Sequence, residues 1–399
     1  MKKILITIII LLSISLGAYV YFNQPKNSFS EEDSPLIKVK KDLTIEYGKI
    51  VYLKDYLEVN NGILLDKEIN YESLGPLIIN YQIKDNHNKL INKKLELTVI
   101  DTTAPTIIVN SILKIEQGSQ KKLTDIIMCG DNYDKSPQRS IEGTYDLNTP
   151  GEYPLTYIAK DSNGNTNKLA FTLQVITKSK NNTNTNTKTL FEEVKNKYQT
   201  SHTKIGIDVS KWQGVIDFKK VKEAGAEFVM IRLGTQAGFS KDNILDPKFK
   251  ENINNALANN LEVGIYFHSY ATTKEEALNQ AKFVIDNLKD YKITLPISFD
   301  WESWSSYNTL NLSLTDLTRI QEIFLDEINK SGYKSARYGS KNYLTNAWQD
   351  TKYNTWVAHY TNKQTDYQGE YFMWQLCSDG IIKGINGYVD IDIYYNNIK

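Results

Sequence analysis

The stretch Leu295-Pro296-Ile297-Ser298-Phe299-Asp300-Trp301-Glu302 is an apolar run that ends in two carboxylates. Its composition and its length predict a buried strand. Successive side chains of a strand point to opposite faces at about 3.3 Å per residue, so Asp300 and Glu302 share one face, about 6 to 7 Å apart at the backbone. This strand end is therefore the first candidate for a chemical site.

A carboxylate pair at this spacing suits the hydrolysis of a glycosidic bond. One carboxyl must hold a proton at the working pH while the other stays ionised, and their separation is typically about 5 to 9.5 Å. The sequence Asp-x-Glu is also common at strand ends that have no catalytic role. The pair alone therefore leaves both interpretations open, and the rest of the chain has to decide between them.

Length and composition narrow the class of protein. At about 100 to 200 residues per domain, 399 residues predict two or three domains. Lys+Arg and Asp+Glu are equal at 47, so the net charge of +0 gives no reason to expect a nucleic acid partner. Cys129 and Cys377 lie far apart in the sequence, and the four histidines show no zinc-binding spacing. We therefore expect no metal, no cofactor and no nucleic acid.

The N-terminal segment has the pattern of an export signal. An almost unbroken apolar run from Ile4 to Phe22 follows Lys2 and Lys3, and at 1.5 Å per residue it is long enough to cross a hydrocarbon layer of about 30 Å. Bulky aromatic residues at its end favour an uncleaved anchor over a cleaved signal peptide. Residues 1–35 are thus predicted to be a cytoplasmic stub, a transmembrane helix and a spacer, with the remainder extracytoplasmic, or secreted if the segment is cleaved.

Residues 36–177 contain an internal repeat. Short alternating runs such as Leu95-Glu96-Leu97-Thr98-Val99 predict half-buried strands. The first copy has Gly75, Tyr81, Lys84-Asp85, Leu97 and Val99-Ile100, which recur without a gap as Gly151, Tyr157, Lys160-Asp161, Leu173 and Val175-Ile176. Two copies of one small β-domain, 36–101 and 102–177, explain this repeat.

The junction Asp101-Thr102-Thr103-Ala104-Pro105 and the turn Asp161-Ser162-Asn163-Gly164-Asn165 resemble those of bacterial immunoglobulin-like modules, which occur in tandem on surface proteins. This resemblance implies all-β sandwiches that act as spacers more often than as ligand-binding units. Asp85 and Asp161 are either calcium ligands or caps of turns, and the sequence favours the caps.

The last domain alternates strand-like and helical runs. Residues 178–203 begin with a low-complexity Asn/Thr/Lys tract and are predicted to form a disordered linker. From 204 to 399 we predict strands at 205–209, 228–233, 263–267, 297–302, 336–338, 355–358, 371–375 and 387–390. A capping box at Thr273 and Glu276 begins one helix, and a second runs from about Leu314 to Asn329. The fold class is therefore multidomain, with a C-terminal α/β irregular (β/α) barrel after two immunoglobulin-like sandwiches and a transmembrane helix.

Polar residues collect at the predicted strand ends, where the reactive groups of such barrels lie. Asp208, Asp300, Glu302 and Asp390 give this face four acids, which must retain at least one proton between them. The candidate substrate-binding residues are Arg232, Tyr266, His268, Tyr338, Trp356, Tyr360, Trp374 and Gln375. Trp212 is a further candidate sugar platform, and two or three of these aromatic residues are expected in the core instead. Asp392 is expected to be solvated, beyond the end of the last strand.

Five motifs of this domain resemble the family-25 glycoside hydrolases, which are lysozyme-type N-acetylmuramidases. They are Ile205-Gly206-Ile207-Asp208-Val209-Ser210-Lys211-Trp212-Gln213-Gly214, Phe228-Val229-Met230-Ile231-Arg232, Asp300-Trp301-Glu302, Trp356-Val357-Ala358-His359-Tyr360, and Trp374-Gln375 followed by Val389-Asp390. The resemblance implies cleavage of the β-1,4 bond between N-acetylmuramic acid and N-acetylglucosamine in peptidoglycan glycan strands. It also implies that Glu302 is the general acid and that Asp300 assists the 2-acetamido group of the substrate, with Asp208 and Asp390 around them.

Two other functions compete with a wall-remodelling enzyme. One is a non-catalytic wall-binding or adhesive protein, against which the four intact acids argue. The other is a phage-type lysin, which usually reaches the wall through a separate pore, whereas this chain carries its own export segment.

Overall fold

The computed structural model describes residues 34–177 and 188–396. The chain divides into two compact units, Met1–Ile45 with Ile50–Val99, and Glu46–Lys49 with Ile100–Lys399. The predicted transmembrane helix lies outside the described residues. Across the two described ranges, every helix is too short or too polar to span a membrane.

The first unit is built mainly of strands. Its elements are β1 (Leu36–Val39), β2 (Thr44–Glu46), α1 (Leu53–Tyr56), β3 (Leu57–Asn60), β4 (Gly62–Leu64), β5 (Gly75–Asp85) and β6 (Leu90–Ile100). They form a four-stranded sheet in the order β2-β6-β5-β4 and the separate pair β1-β3. In β6, Leu95, Leu97 and Val99 are buried while the residues between them are exposed, as the alternating sequence predicts.

The second unit begins with a β-module of the same element order. It contains β7 (Thr106–Ile108), β8 (Ile112–Glu116), α2 (Leu123–Ile126), β9 (Met128–Gly130), β10 (Gln138–Glu142), β11 (Gly151–Lys160) and β12 (Thr166–Ile176). The sheet order is β10-β11-β12-β8, with β7 paired to β9. Gly151 lies opposite Val175 just as Gly75 lies opposite Val99, so the two halves of the sequence repeat occupy equivalent positions in the two hairpins.

The rest of the second unit is an α/β barrel. Its strands are β13 (Thr189–Leu190), β14 (Thr203–Val209), β15 (Phe228–Gln236), β16 (Asn243–Leu245), β17 (Glu262–Ser269), β18 (Ile297–Trp301), β19 (Ser335–Ser340), β20 (Asn354–Ala358), β21 (Met373–Ile381) and β22 (Val389–Tyr395). Its helices are α3 (Phe191–Tyr198), α4 (Phe218–Glu223), α5 (Phe249–Ala258), α6 (Lys274–Leu288), α7 (Leu314–Lys330) and α8 (Lys341–Asn346), with 3-10 turns at Lys211–Gln213 and Ser303–Thr309.

Eight strands close the barrel in the order β14-β15-β17-β18-β19-β20-β21-β22. The first seven of these strands run parallel, but β22 is antiparallel to both of its neighbours. The antiparallel direction of β22 corrects the prediction of an eighth strand at 387–390 with Asp390 at its C-terminal end. The connection from Ile381 to Val389 is too short for a parallel crossover, so the chain turns back as a hairpin. Asp390 therefore lies at the beginning of β22.

The two predicted helices form where their capping signals are. The hydroxyl of Thr273 accepts a hydrogen bond from the backbone N–H of Glu276 at the start of α6. The Ser313 side chain caps α7 in the same way through Asp316. Helix α7 ends before Gly332, whose φ of 89° is one that residues with a side chain rarely adopt.

The second half of the predicted linker, 178–203, is ordered secondary structure. Strand β13 pairs parallel with β21, and α3 buries Phe191 and Val194 in the barrel core at 2% and 4% exposure. These two residues lie three positions apart, on one face of the helix, and this apolar face distinguishes the segment from the polar tract before it. The barrel domain therefore begins before residue 204.

Within the second unit, the β-module packs directly against the barrel. The side-chain carbonyl of Asn308 accepts a hydrogen bond from the backbone N–H of Cys129 at 2.9 Å, and its amide donates to the carbonyl of Ile127 at 2.7 Å. Asn308 lies in the 3-10 turn Ser303–Thr309, which directly follows Glu302. The segment after the candidate acid is therefore held by the module.

Gly130 allows this close approach. A Cβ atom at this position would lie 2.8 Å from the ring of Tyr307 and 2.9 Å from the side chain of Leu314. The backbone N–H of Leu314 donates to the carbonyl of Asp131 at 2.7 Å, so the first turn of α7 is also bonded to the module. The second module thus belongs to the same compact unit as the barrel.

Candidate active site

The carboxyl ends of the parallel strands open into a cleft of about 350 Å³. Its lining contains all four predicted catalytic acids and seven of the eight predicted substrate-binding residues: Asp208, Ser210, Trp212, Gln213, Arg232, Tyr266, His268, Asp300, Glu302, Tyr338, Trp356, Tyr360, Gln375 and Asp390. The exception is Trp374.

Asp300 and Glu302 lie side by side at the end of β18. Asp300 is 5% exposed, whereas Glu302 is reached by solvent in the cleft. One oxygen of each carboxyl and one ring nitrogen of His268 lie within 4.8 Å of one another. Burial raises the pKa of both carboxyls, and the charge of Glu302 raises the pKa of Asp300 further. The pair therefore holds a proton to a higher pH than isolated carboxyls do.

Asp208 and Asp390 face each other across the antiparallel pair of β14 and β22. Burial, followed by the charge of Asp208, raises the pKa of Asp390 to about 8. Asp392 is on the same strand and is fully buried, which corrects the expectation that it is solvated. Its Oδ1 accepts a hydrogen bond from the indole N–H of Trp356 at 2.9 Å. The strand predicted from the sequence, 387–390, ended before Asp392.

Gln375 connects the acids to two tyrosines. Its carbonyl oxygen accepts hydrogen bonds from the hydroxyls of Tyr338 at 2.9 Å and Tyr360 at 3.1 Å. Its amide donates to Oδ2 of Asp208 at 2.8 Å. Both ends of the Gln375 side chain are therefore satisfied, which fixes the orientation of the Asp208 carboxyl.

Arg232 is held by an acid that the sequence did not single out. Its guanidinium contacts Oδ2 of Asp246 at 2.7 and 2.8 Å, and the Asp246 side chain is 1% exposed. The backbone N–H of Lys211 donates to the same carboxyl at 3.1 Å. Asp246 follows the short strand β16, which carries no chemical signal of its own. Asp246 thus connects the Arg232 side chain to the backbone of Lys211.

His268 is neutral in this setting. Burial, with Arg232 nearby, lowers its pKa to about 4. Its Nδ1 lies 3.0 Å from the hydroxyl of Thr235. His268, Asp300 and Glu302 are the cleft residues that have the geometry to hold a cation.

The aromatic candidates divide between cleft and core. Tyr266 and Tyr338 pack edge-on against Trp356, with ring centroids 6.0 and 4.7 Å away. Trp212 is 76% exposed at the rim. Trp374 is completely buried, and its indole N–H donates to the carbonyl of His359, so it packs in the core and does not reach the cleft. Alternating side chains of β21 place Gln375 on the opposite face.

Ser210 and Gln213 were not predicted as site residues, although both lie in a quoted motif. The Gln213 side chain accepts a hydrogen bond from the backbone N–H of Ser210 at 2.9 Å, and the Ser210 hydroxyl accepts one from Trp212. This capping box shapes the turn that presents Trp212 at the rim. Ser-x-x-Gln is a recognisable signal for it.

Residues 207–385 match the model of glycosyl hydrolases family 25. The match lies within the barrel of the second unit, so residues 207–385 form a domain of the glycosyl hydrolases family 25 type. The match includes every cleft residue except Asp390.

Curated relatives share this half of the chain. An uncharacterized protein, YegX of Escherichia coli (strain K12), is 29% identical over 203 residues, which cover 50% of this chain and 72% of the relative. The autolytic lysozyme of Clostridium acetobutylicum is 23% identical over 195 residues, covering 48% of this chain and 56% of the relative.

Among solved structures, this chain is similar to the modular autolysin LytC of Streptococcus pneumoniae in complex with a synthetic peptidoglycan ligand. It has a TM-score of 0.44 and 24% identity, and the match covers 60% of this chain and 56% of that chain. This chain thus spans little more than half the length of LytC.

Proposed function

We propose that this protein is an N-acetylmuramidase that cleaves the β-1,4 bond between N-acetylmuramic acid and N-acetylglucosamine in peptidoglycan. The observation that supports this most is the Asp300–Glu302 pair, which shares a cleft with Asp208 and Asp390 and retains a proton. Hydrolysis of a glycosidic bond needs such a pair of unequal carboxyls. The family match and the lysozyme name of one relative support the substrate class.

Glu302 acts as the general acid. It is the more accessible carboxyl of the pair, so a glycosidic oxygen reaches it without displacing the buried Asp300. In the free enzyme, burial and then the neighbouring Glu302 carboxyl raise the pKa of Asp300. Once the N–H of the substrate acetamido group donates to Asp300, the ionised form of Asp300 is favoured and the proton moves to Glu302. Substrate binding thus leaves Glu302 protonated, as a general acid must be.

Asp300 assists the acetamido group as its oxygen attacks the anomeric carbon. The carboxyl oxygens of the pair lie within 4.8 Å, whereas inverting enzymes separate their carboxyls by about 6.5 to 9.5 Å to admit a water molecule. This short separation supports reaction with retention of configuration. Asp208 and Asp390 then stabilise the positive charge that develops at the sugar.

The remaining cleft residues bind the glycan. Trp212 offers an exposed ring to sugars, while Tyr266 and the more deeply buried Tyr338 and Trp356 line the cleft. Arg232, His268, Tyr360 and Gln375 offer hydrogen bonds to hydroxyl, acetamido and lactyl groups. We further propose that the enzyme acts outside the cell at the wall, tethered by its N-terminal segment, and that the two β-modules are immunoglobulin-like.

Digestion of purified cell walls tests the activity. We expect mass spectrometry of the released muropeptides to find N-acetylmuramic acid at the new reducing ends. Glu302→Gln preserves size but has no proton to donate, so reducing-end release is expected to fall by about 10² to 10⁴. Glu275→Gln, on the exposed first turn of α6, is the matched control and should keep its activity. Near wild-type turnover by folded Glu302→Gln would contradict the assignment.

A further inference from the structure

Three buried acids meet in the second unit, away from the barrel cleft. Asp101 follows β6, Asp131 follows β9 and Asp161 follows β11. They are 8%, 1% and 4% exposed, and one carboxyl oxygen of each lies within 4.8 Å of the others. Three strand ends therefore direct negative charge into one small volume.

Two of these carboxyls have an oxygen that makes no hydrogen bond with any residue in the described ranges. They are Oδ1 of Asp101 and Oδ2 of Asp131, and both atoms are buried. A buried acceptor without a partner costs about 1 to 3 kcal/mol. Two such oxygens beside a third acid are therefore an arrangement that a bound ligand would stabilise.

The other oxygens are held in place by the protein. Oδ1 of Asp131 accepts hydrogen bonds from the backbone N–H groups of Tyr133 at 2.9 Å and Asp134 at 2.7 Å. Oδ2 of Asp101 accepts one from the side chain of Asn163 at 2.6 Å. Each of these carboxyls is thus oriented by one oxygen while its second oxygen remains available.

Asp161 is oriented in a similar way. The backbone N–H of Asn165 donates to its Oδ1 at 2.8 Å, and the side-chain amide of Asn165 donates to its Oδ2 at 2.7 Å. An oxygen that accepts one hydrogen bond retains a second lone pair for a cation. All three acids are therefore preorganised by bonds to nearby turns.

The local charge lacks a protein counterion. Within the described part of the chain, none of the three acids forms an ion pair with Lys, Arg or His. Like charges held this close in the interior require either a proton or a cation.

We propose that Asp101, Asp131 and Asp161 bind a divalent cation of the calcium class. The donor atoms are all oxygens, which suit hard cations, whereas structural zinc sites are built mainly from cysteine sulfur and histidine nitrogen. Calcium–oxygen distances are about 2.3 to 2.6 Å, so oxygens that lie within 4.8 Å of one another can all reach one ion. Magnesium demands shorter distances and a stricter octahedron, which favours calcium.

The site bears on the barrel through Asp131. The carbonyl of this residue accepts the hydrogen bond from Leu314 at the start of α7, while its side chain faces the cation. Calcium therefore stabilises the strand end by which the module contacts the barrel. Bound calcium is expected to raise the unfolding temperature of the second unit.

Calorimetric titration of the chelator-treated full chain with calcium chloride tests the proposal. We expect one site with a Kd of about 0.1 to 1 mM, the range typical of extracellular modules, with weaker binding of magnesium. Asp131→Asn keeps an oxygen for the Tyr133 and Asp134 N–H groups but replaces the unpartnered oxygen with a donor. Its calcium affinity should fall at least about tenfold. If Asp131→Asn does not fold, Asp161→Asn is titrated instead, with the same expected loss of calcium affinity.

Two controls assign the binding to this cluster. Asp146→Asn removes an exposed acid that caps a turn in the same module and should leave the affinity unchanged. Asp300→Asn disrupts the His268–Asp300–Glu302 group and should also leave it unchanged. The proposal is overturned if calcium at about 10 mM gives neither heat nor a thermal shift, or if Asp300→Asn alone abolishes binding.

Discussion

The side chain of Asn308, in the turn that follows Glu302, accepts a hydrogen bond from the backbone N–H of Cys129 in the second β-module. Its amide also donates to the carbonyls of Thr124 and Asp125 at 3.2 Å and of Ile127 at 2.7 Å. One side chain thus lies within hydrogen-bond distance of four backbone groups of a segment distant in sequence. The module and the acid-bearing loop are therefore coupled.

Asn308→Ala is expected to reduce the free energy of unfolding by about 1 to 3 kcal/mol, because it leaves buried backbone groups without partners. Urea denaturation of the full chain measures this change. Asn346→Ala is the control, since the exposed Asn346 bonds only within α8 and its loss should cost less than about 0.5 kcal/mol. Equal stability of the two variants would show that the module contributes nothing to the barrel.

Trp212→Ala should raise KM several-fold with little change in stability. The indole is 76% exposed at the cleft rim, so its loss creates no cavity, while one aromatic contact is worth about 0.5 to 1.5 kcal/mol. Initial rates on soluble glycan fragments, with thermal melting in parallel, measure both effects. Tyr145→Ala, an exposed aromatic substitution in the β-module, should leave KM unchanged. An unaltered KM for Trp212→Ala would place the glycan elsewhere.

The stereochemistry of the reaction should be retention. Proton NMR, recorded immediately after cleavage, is expected to show the β-anomer of the new reducing end before it equilibrates. The reason is the short Asp300–Glu302 separation, which is below the separation of about 6.5 to 9.5 Å by which inverting enzymes admit a water molecule. Initial formation of the α-anomer would contradict the proposed role of Asp300.

Stability should decrease between about pH 6.5 and pH 8. The pKa of Asp390 is about 8 in the folded chain, against about 3.9 for an unfolded aspartate, so the folded state binds the extra proton in this window. Its stabilising effect is complete below the unfolded pKa and is lost as the pH rises through the folded value. His268, lowered to about 4, has the opposite effect only below about pH 6.5.

Urea midpoints measured in this window with a chelator present check the sign. Asp390→Asn should flatten the slope, because the amide has no proton to lose. The raised pKa values of Asp208 and Asp392 act in the same direction, so part of the slope should remain. A midpoint that rises with pH would contradict the burial of these acids in protonated form.

Periodicity predicted the parallel strands of the barrel well, because each buried strand is a short continuous apolar run. The alternation of side chains along a strand also predicted that Asp300 and Glu302 lie on one face at a strand end. The direction of β22 was predicted incorrectly, because its alternating pattern is the same in either direction and only the short connection before it excludes a parallel crossover.

Other features depend on contacts that no local pattern encodes. Asp246 lies beside Arg232 only because a short strand, β16, folds back along β15. Asp101, Asp131 and Asp161 are far apart in sequence and meet only at the folded strand ends. The apolar face of α3 is present in the sequence, but the helix follows a low-complexity tract and was included in the predicted linker.

The reversed direction of β22 also decides which end of the barrel the chain leaves from. Since Asp390 begins this strand at the cleft, Tyr395 ends it on the opposite side, where the backbone N–H of Asn396 donates to the carbonyl of His202 just before β14. A reporter protein or surface linker fused after Asn396 would therefore emerge behind the barrel. It would leave the glycan free to enter from the front, which makes this end the better point of attachment for immobilising the enzyme.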